Sequence, residues 1–319
     1  MRILVADDDA VSRRLMEKIL TQSGYEVMTV ADGRGALDAL TRKDGPRMAL
    51  LDWMMPGIDG AEVCRQIRAR KEESYVYLTL LTSRQDRTDV IQGLEAGADD
   101  YLIKPCNPEE LKARLRTGVR ILMLEDKLVE AREEMRMRAT HDALTGLLNR
   151  GAVLNFMKVE MARCRREHTP LSILLCDVDH FKQVNDVHGH LVGDQVLREL
   201  AHRLKQAIRP FDGVGRYGGE EFVLVLSGCG SEQLRHRSGD ILDAVRSKPI
   251  ETSAGPLHIT ISIGAFTMDS LEWSGDVEFP LGRADGALYR AKMNGRNCVQ
   301  FADHLSTNDS EHVGLPTVS

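Results

Sequence analysis

Short apolar runs alternate with amphipathic stretches over residues 1–120. Arg2–Ala6, Tyr25–Val30, Arg47–Leu51, Tyr75–Leu81 and Asp100–Ile103 have the length and apolar content of buried strands, and helical patterns separate them. Val11, Leu15 and Ile19 recur at i, i+4 and i+8 before Gly24 stops the first helix. Five β-α units of this kind predict an α/β fold with a doubly wound parallel sheet, covered on both faces. Beyond Pro108 the chain runs to about Ala139 without proline, and its only glycine there is Gly118. Ile121, Leu124, Leu128, Ala131 and Met135 alternate in steps of 3 and 4, and Glu134 lies four residues before Arg138. That spacing predicts a helical linker over 121–139, as a short coiled coil or as a single helix packed on its own domain. A second domain of α+β type is predicted over 140–302, from an apolar strand at Leu171–Cys176, an amphipathic stretch with Val196, Leu197, Leu200 and Leu204, and strand-like runs at Gly213–Tyr217 and Phe222–Leu226. From Asp303 the chain is polar and aperiodic, which predicts a disordered tail over 303–319.

At 319 residues, 42% of them hydrophobic, the chain can build two packed cores. Its 42 basic residues against 48 acidic ones, net −6, provide no general attraction to nucleic acid or to an anionic membrane. The six cysteines show no metal-ligand spacing and are too sparse for a disulfide scaffold, which points to a reducing cytoplasm. No apolar stretch approaches membrane-spanning length, and the N-terminus MRILVADDD turns acidic where a signal peptide would be apolar.

In parallel sheets of this kind ligands bind beyond the carboxyl ends of the strands. Asp7 and Asp8 follow the first predicted strand, Asp52 the third, Thr82 the fourth and Lys104 the fifth. Carboxylates converging there repel one another unless a cation joins them, and oxygen-only ligands point to Mg²⁺. An Asp beside that ion, with a lysine and a threonine near, suits a phosphoryl acceptor. Through VADDD, DWMMPGIDG and ADDYLIKP, residues 1–120 resemble a two-component receiver domain. The resemblance implies Asp52 as phosphoacceptor, Asp7 and Asp8 as further metal ligands, Thr82 and Lys104 as phosphate contacts and Tyr101 as the switch aromatic. It also implies a Lys104–Pro105 bond that is usually cis, and a cognate histidine kinase. Cys106 departs from the aromatic residue that many receivers carry at this position.

In the second domain Gly218 and Gly219 fall at the tip of a predicted hairpin, where positive φ and close backbone approach to a ligand are expected. Glu220 and Glu221 follow at once, while Asp177 and Asp179 end the Leu171–Cys176 strand. If these strands are neighbours, Asp177, Glu220 and Glu221 can hold two divalent cations, Mg²⁺ or Mn²⁺, an arrangement suited to phosphoryl transfer. GGEEF after Tyr217 and before Val-Leu-Val-Leu, together with HDALTGLLNR, DVDHFKQVNDVHGHLVGD and ADGALYRAKMNGRN, resembles the GGDEF family over residues 140–302. That resemblance implies a palm-like fold and synthesis of cyclic di-GMP from two GTP. It further implies Asp177 and Glu221 as metal ligands beside the Val178 backbone, and Glu220 in both metal binding and catalysis. Lys292 and Arg296 become triphosphate contacts, with Phe181 and Lys182 under the phosphates and Gly218 and Gly219 beside the substrate. Asn185 and Asp194 become guanine readers. A carboxylate accepts both N1–H and N2–H of guanine, and members that accept ATP carry Ser here, so Asp194 argues for GTP. Read without the family, Asp194 can cap a helix starting near Val196, and Lys292 and Arg296 can be solvated helix charges. His188 and His190 read as loop residues rather than zinc ligands.

Arg209-Pro-Phe-Asp212 resembles the R-x-x-D product-inhibition site of the family, in which Arg grips phosphate and guanine and Asp takes a guanine edge. The register of the family's secondary arginine falls near Asp240, with Arg235 and Arg237 close by. The expectation is therefore a phosphorylation-activated diguanylate cyclase that dimerises through receiver and linker. A cyclic di-GMP receptor with a silent active site is the alternative, and it predicts degenerate metal carboxylates. A DNA-binding regulator predicts a basic recognition helix after the linker, and none appears.

Overall fold

A computed structural model describes residues 1–70, 75–83, 87–268 and 276–302, with side chains omitted at 87–90. The tail from Asp303 lies outside the described residues. The chain divides into two compact units, Met1–Glu133 and one beginning at Glu134.

The first unit runs β1 (Arg2–Ala6), α1 (Ala10–Gln22), β2 (Glu26–Val30), α2 (Gly33–Leu40), β3 (Met48–Asp52), α3 (Gly60–Ala69), β4 (Tyr77–Thr82), α4 (Arg87–Glu95), β5 (Asp100–Ile103) and α5 (Pro108–Thr140). The strands form one parallel sheet in the order β2-β1-β3-β4-β5. β3 and β4 are buried along their whole length because helices cover both faces, which is why they read as continuous apolar runs. Leu4, Ala49, Leu51 and Leu78 face one core, and Ile3, Val5, Leu50 and Leu81 the other. Helix α1 forms where its spacing predicts, but Met16 and Leu20 supply its buried face. Val11 and Leu15 are exposed, by 75% and 56%. A stripe at steps of 4 alone drifts around a helix of 3.6 residues per turn, and the sheet takes the stripe beside it.

α5 is a single helix whose start buries Leu111, Leu115, Gly118 and Leu122. Gly118 lies against the ring of Tyr77, where a Cβ would come within 2.6 Å of a ring carbon, and this accounts for the lone glycine of the helix. Further along, Ile121, Leu124, Leu128 and Met135 are exposed.

The second unit continues with α6 (Arg150–Glu167), β6 (Leu171–Val178), α7 (Phe181–His188), α8 (His190–Gln206), β7 (Gly213–Arg216), β8 (Glu221–Ser227), α9 (Ser231–Arg246), β9 (Ile250–Thr252), β10 (Gly255–Leu257), β11 (Ile261–Met268), α10 (Glu278–Met293) and β12 (Val299–Phe301). Its main sheet has the order β12-β11-β6-β8-β7, with β6 antiparallel to both β8 and β11. Leu174, Cys176 and Val178 point to the core that holds Leu197 and Leu200 of α8, while Ile173 and Leu175 point to the core with Met157 of α6 and Leu288 of α10. β6 is fully buried through its last residues, so it carries Asp177 in its ladder rather than in a loop.

Candidate active site

The first unit gathers its polar groups at the carboxyl ends of β1, β3 and β5, where the strand order reverses. Asp7 and Asp52 are buried and Asp8 is exposed. One oxygen from each lies within 4.8 Å of the others, the only such trio among the described residues. Lys104 donates to Asp7 Oδ2 at 2.7 Å and forms an ion pair with Asp52 Oδ2 at 2.9 Å. The Ser12 hydroxyl donates to Asp7 Oδ2 at 2.6 Å, and the Asp9 N–H donates to Asp7 Oδ1 at 2.9 Å. Burial raises the proton affinity of the Asp52 carboxyl, with Lys104 opposing and Asp7 adding to the rise. Burial also works against the charge of Lys104, but its bonds to Asp7 and Asp52 outweigh this and raise its pKa. Two buried carboxylates sharing one ammonium, beside a third exposed carboxylate, form an oxygen-only donor set that fits Mg²⁺. Thr82 is buried at the end of β4, and its carbonyl accepts the Lys104 N–H at 2.8 Å. Tyr101 is half-buried on β5, and the Arg114 guanidinium lies 5.9 Å from its ring centroid. The Lys104–Pro105 bond is cis.

In the second unit the antiparallel register sets Asp177 of β6 opposite Glu221 of β8. Glu220 sits at the hairpin tip, where its carbonyl accepts the Val178 N–H at 3.3 Å. Lys292, near the end of α10, donates to Asp177 Oδ2 at 2.8 Å. Burial raises the pKa of Asp177, which Lys292 counters, and that of Glu220, to which the charges of Asp177 and Glu221 add. These carboxylates are more crowded than one lysine can neutralise, as expected of a divalent-cation donor set. They are looser than the Asp7–Asp8–Asp52 trio, whose oxygens alone among the described residues lie within 4.8 Å of one another.

Neither tip glycine has a positive φ, contrary to the hairpin expectation. A Cβ on Gly218 would come within 2.5 Å of Glu221 Oε2, so any side chain there would displace that carboxylate. A Cβ on Gly219 would meet nothing within 4 Å, so that side of the tip is open. Two residues outside the sequence-based site hold the tip in place. Arg216 donates to the Gly219 carbonyl at 2.7 Å and pairs with Asp142 at 3.2 Å. Asp142 in turn accepts the N–H and hydroxyl of Thr145. Asp142 lies inside the HDALTGLLNR motif and Arg216 in the strand-like run before the glycine pair, but their meeting across 74 residues has no local signature.

Asp179 is also buried, and its carboxylate accepts Thr260 Oγ1 at 2.7 Å, Ser262 Oγ at 2.6 Å and the Asn297 N–H at 3.0 Å. It therefore ties the end of β6 to β11 and to the turn carrying Arg296, which is exposed with φ +63. α7 starts at Phe181 without a side-chain cap, and while the Gln183 N–H donates to the His180 carbonyl at 2.9 Å, the Phe181 and Lys182 amides are left free for an anion. Lys182 is exposed there, whereas the Phe181 side chain is buried in the core and can offer only backbone to a ligand. Asn185 packs against Gly193, where a Cβ would come within 2.0 Å of its Oδ1, beside the half-exposed Asp194. Asp194 lies inside α8 and is not its cap. His188 and His190 are exposed.

Asp212 departs from its expected role. Its side chain is closed off from solvent and accepts the Arg209 N–H at 3.0 Å, the Ser227 N–H at 3.3 Å and Arg237 Nη2 at 2.7 Å. It holds the turn rather than presenting a free guanine acceptor. Arg237 is thus the arginine that meets Asp212, while Arg235 stacks over Phe301 at 4.8 Å and Arg209 is exposed.

Residues 139–298 match the family described as "Diguanylate cyclase, GGDEF domain", and residues 3–116 match the response regulator receiver domain. The chain belongs to the GGDEF family. Its architecture is that of a response regulator with a GGDEF domain, also seen in its similarity to Response regulator PleD of Caulobacter vibrioides, 30% identical over 301 residues. That match covers 93% of this chain and 65% of PleD, so the chain spans just under two thirds of that relative. Diguanylate cyclase DgcP of Pseudomonas aeruginosa is 39% identical over 170 residues, 53% of this chain and 25% of DgcP. The solved coiled coil and GGDEF domain of DgcB from Caulobacter crescentus, in complex with c-di-GMP, is 32% identical with a TM-score of 0.54, over 60% of this chain and 99% of that one. GGDEF cyclases and receiver domains generally use divalent metal ions. No described helix is long and apolar enough to cross a membrane.

Proposed function

We propose that this GGDEF protein is a cytoplasmic response-regulator diguanylate cyclase that joins two GTP into cyclic di-GMP and releases two pyrophosphates. The observation that carries the reading is the pairing of Asp177 with Glu221, with Glu220 beside them and Lys292 reaching in from α10. Asp177, Glu221 and the Val178 backbone hold divalent cations, and Glu220 serves both in that binding and in moving the proton of the 3′-hydroxyl. Bound Mg²⁺ or Mn²⁺ supplies the charge that activates this hydroxyl and stabilises the leaving oxygen. The raised proton affinity of Glu220, caused first by burial and then by the Asp177 charge, suits a carboxylate that accepts a proton. Lys292 and Arg296 grip the triphosphate, with the free amides of α7 and Lys182 alongside. Asn185 and Asp194 read guanine, and the open side of Gly219 leaves room for the nucleotide. Intact carboxylates weigh against a silent receptor. Incubation of the purified chain with GTP and Mg²⁺, with and without acetyl phosphate, and mass-spectrometric identification of the product test this reading. GTP binding without cyclic di-GMP would overturn it.

Each domain binds one GTP, so two copies must meet for in-line attack. The exposed Ile121, Leu124 and Leu128 of α5 offer a seam for such a homodimer. A cognate histidine kinase phosphorylates Asp52, and the phosphoryl group draws Lys104 and Thr82 toward it and repositions Tyr101. Acetyl phosphate is therefore expected to raise the wild-type initial rate and its mass by light scattering, and to leave Asp52→Asn unchanged. An equal response in both proteins would refute the switch.

Cyclic di-GMP is proposed to inhibit through Arg209, whose backbone Asp212 holds in place. Arg209→Ala removes a charge-assisted contact of about 1.5–3 kcal/mol, so inhibition weakens roughly ten- to over a hundredfold. The initial rate before product accumulates is expected to stay the same. Progress curves with added product check this, and identical inhibition constants would show Arg209 to be uninvolved.

A further inference from the structure

A cleft of about 770 Å³ opens in the second unit, between the loop around 141–148, α8 and the turn before β7. Its volume falls within the range of roughly 300–1,000 Å³ typical of small-molecule sites. Leu144, Leu147, Leu148, Phe156 and Val214 make an apolar wall. Across from it α8 contributes Arg198, His202 and Lys205 at i, i+4 and i+7, hence on one helix face. Arg198 and Lys205 are exposed and have no hydrogen-bonding or ion-pair partner among the described residues. The one carboxylate in the lining is that of Asp212, already paired with Arg237. Among the described residues no amide side chain lines the cleft.

Unpaired cations facing an apolar wall match a ligand with an anionic head and a hydrocarbon body. A nucleobase fits less well, because the carboxylate in the lining is already paired with Arg237 and no amide side chain stands beside it to meet a base edge. We propose that the cleft is an effector site for a single-chain amphipathic anion, a fatty carboxylate or an alkyl phosphate. The head lies at Arg198 and Lys205 and the chain along Leu144, Leu148 and Phe156. The wall is connected to the GGEEF hairpin: the Leu148 carbonyl accepts the Arg216 N–H at 2.8 Å, and Asp142 in the same loop holds Arg216, which holds Gly219. Occupancy therefore shifts the hairpin. Binding is independent of the cyclase reading, and only the effect on rate rests on it.

Calorimetric titration of the full chain, without GTP, with decanoate and with decyl phosphate below their micelle concentrations tests binding, with 1-decanol as the neutral probe. Saturable uptake of one anion per chain is expected, with decanol at least about tenfold weaker, the lower end of one charge-assisted contact. The two anions distinguish a carboxylate from a phosphate head. The double variant Arg198→Gln, Lys205→Gln is expected to keep the wild-type melting temperature and decanol response while losing about tenfold or more in anion affinity. Equal affinity for decanol, unchanged anion binding by the double variant, or displacement of decanoate by GTP or cyclic di-GMP would overturn the site. The initial rate of cyclic di-GMP formation is expected to change with decanoate in wild type and not in the double variant. Saturable binding with no change in wild-type rate would overturn the effector role.

Discussion

Glu220→Gln is expected to lower cyclic di-GMP synthesis by about a thousandfold or more, equivalent to roughly 4 kcal/mol of lost transition-state stabilisation. The substitution keeps the side-chain volume and removes one charge from a carboxylate group that burial and the neighbouring Asp177 and Glu221 already force toward protonation. The contact joining the tip to β6 is made by the Glu220 backbone carbonyl to the Val178 N–H, and it survives the change. The melting temperature is therefore expected to hold or rise slightly, because a like-charge contact disappears. Chromatographic assay of product beside thermal unfolding checks both halves. Near-normal synthesis by a well-folded Glu220→Gln protein would remove Glu220 from the proposed chemistry.

β1 and β5 match their apolar runs residue for residue, and β3 and β4 differ by only a residue or two at their ends; for β3 and β4 the reason is that a strand buried on both faces reads as a nearly continuous apolar run. Carboxylates at the strand ends are legible for the same reason: polarity interrupts such a run only where the chain leaves the core. Directional information is harder to read. Val11 and Leu15 look like a core stripe, yet they face out, since apolar periodicity identifies a helix more readily than the side that its neighbours cover. The tip glycines read as positive-φ positions, yet neither adopts one, and a Cβ on Gly218 would instead meet the carboxylate of Glu221, three residues on. Asp212 and Asp142 show the same limit from another side. Each looks like an isolated acid until the fold brings up Arg237 or Arg216, and a polar network assembled across such separations leaves no spacing rule in the chain.

Asp179 is the buried carboxylate whose loss is expected to be felt most by the fold of the second unit. In Asp179→Ala the Thr260 and Ser262 hydroxyls can turn to other acceptors, but the Asn297 N–H, fixed in its turn, loses its partner in a partly buried setting. With the cavity left by the side chain, the cost is about 3 kcal/mol, or roughly 6–12 °C in the melting temperature of this unit. Asp179→Asn separates hydrogen bonding from charge. An amide oxygen in the place of Oδ2 still accepts from Thr260 and Asn297, and an amide NH₂ in the place of Oδ1 donates to the Ser262 hydroxyl, which can accept as well as donate. Its cost is expected to stay near 1 kcal/mol, about 2–4 °C. The turn that Asp179 anchors carries Arg296, so Asp179→Ala is also expected to raise the KM for GTP more than Asp179→Asn does. Differential scanning calorimetry with GTP titrations checks the pair, and equal melting temperatures for the Ala and Asn variants would show that the three hydrogen bonds contribute little to holding β6, β11 and the Arg296 turn together.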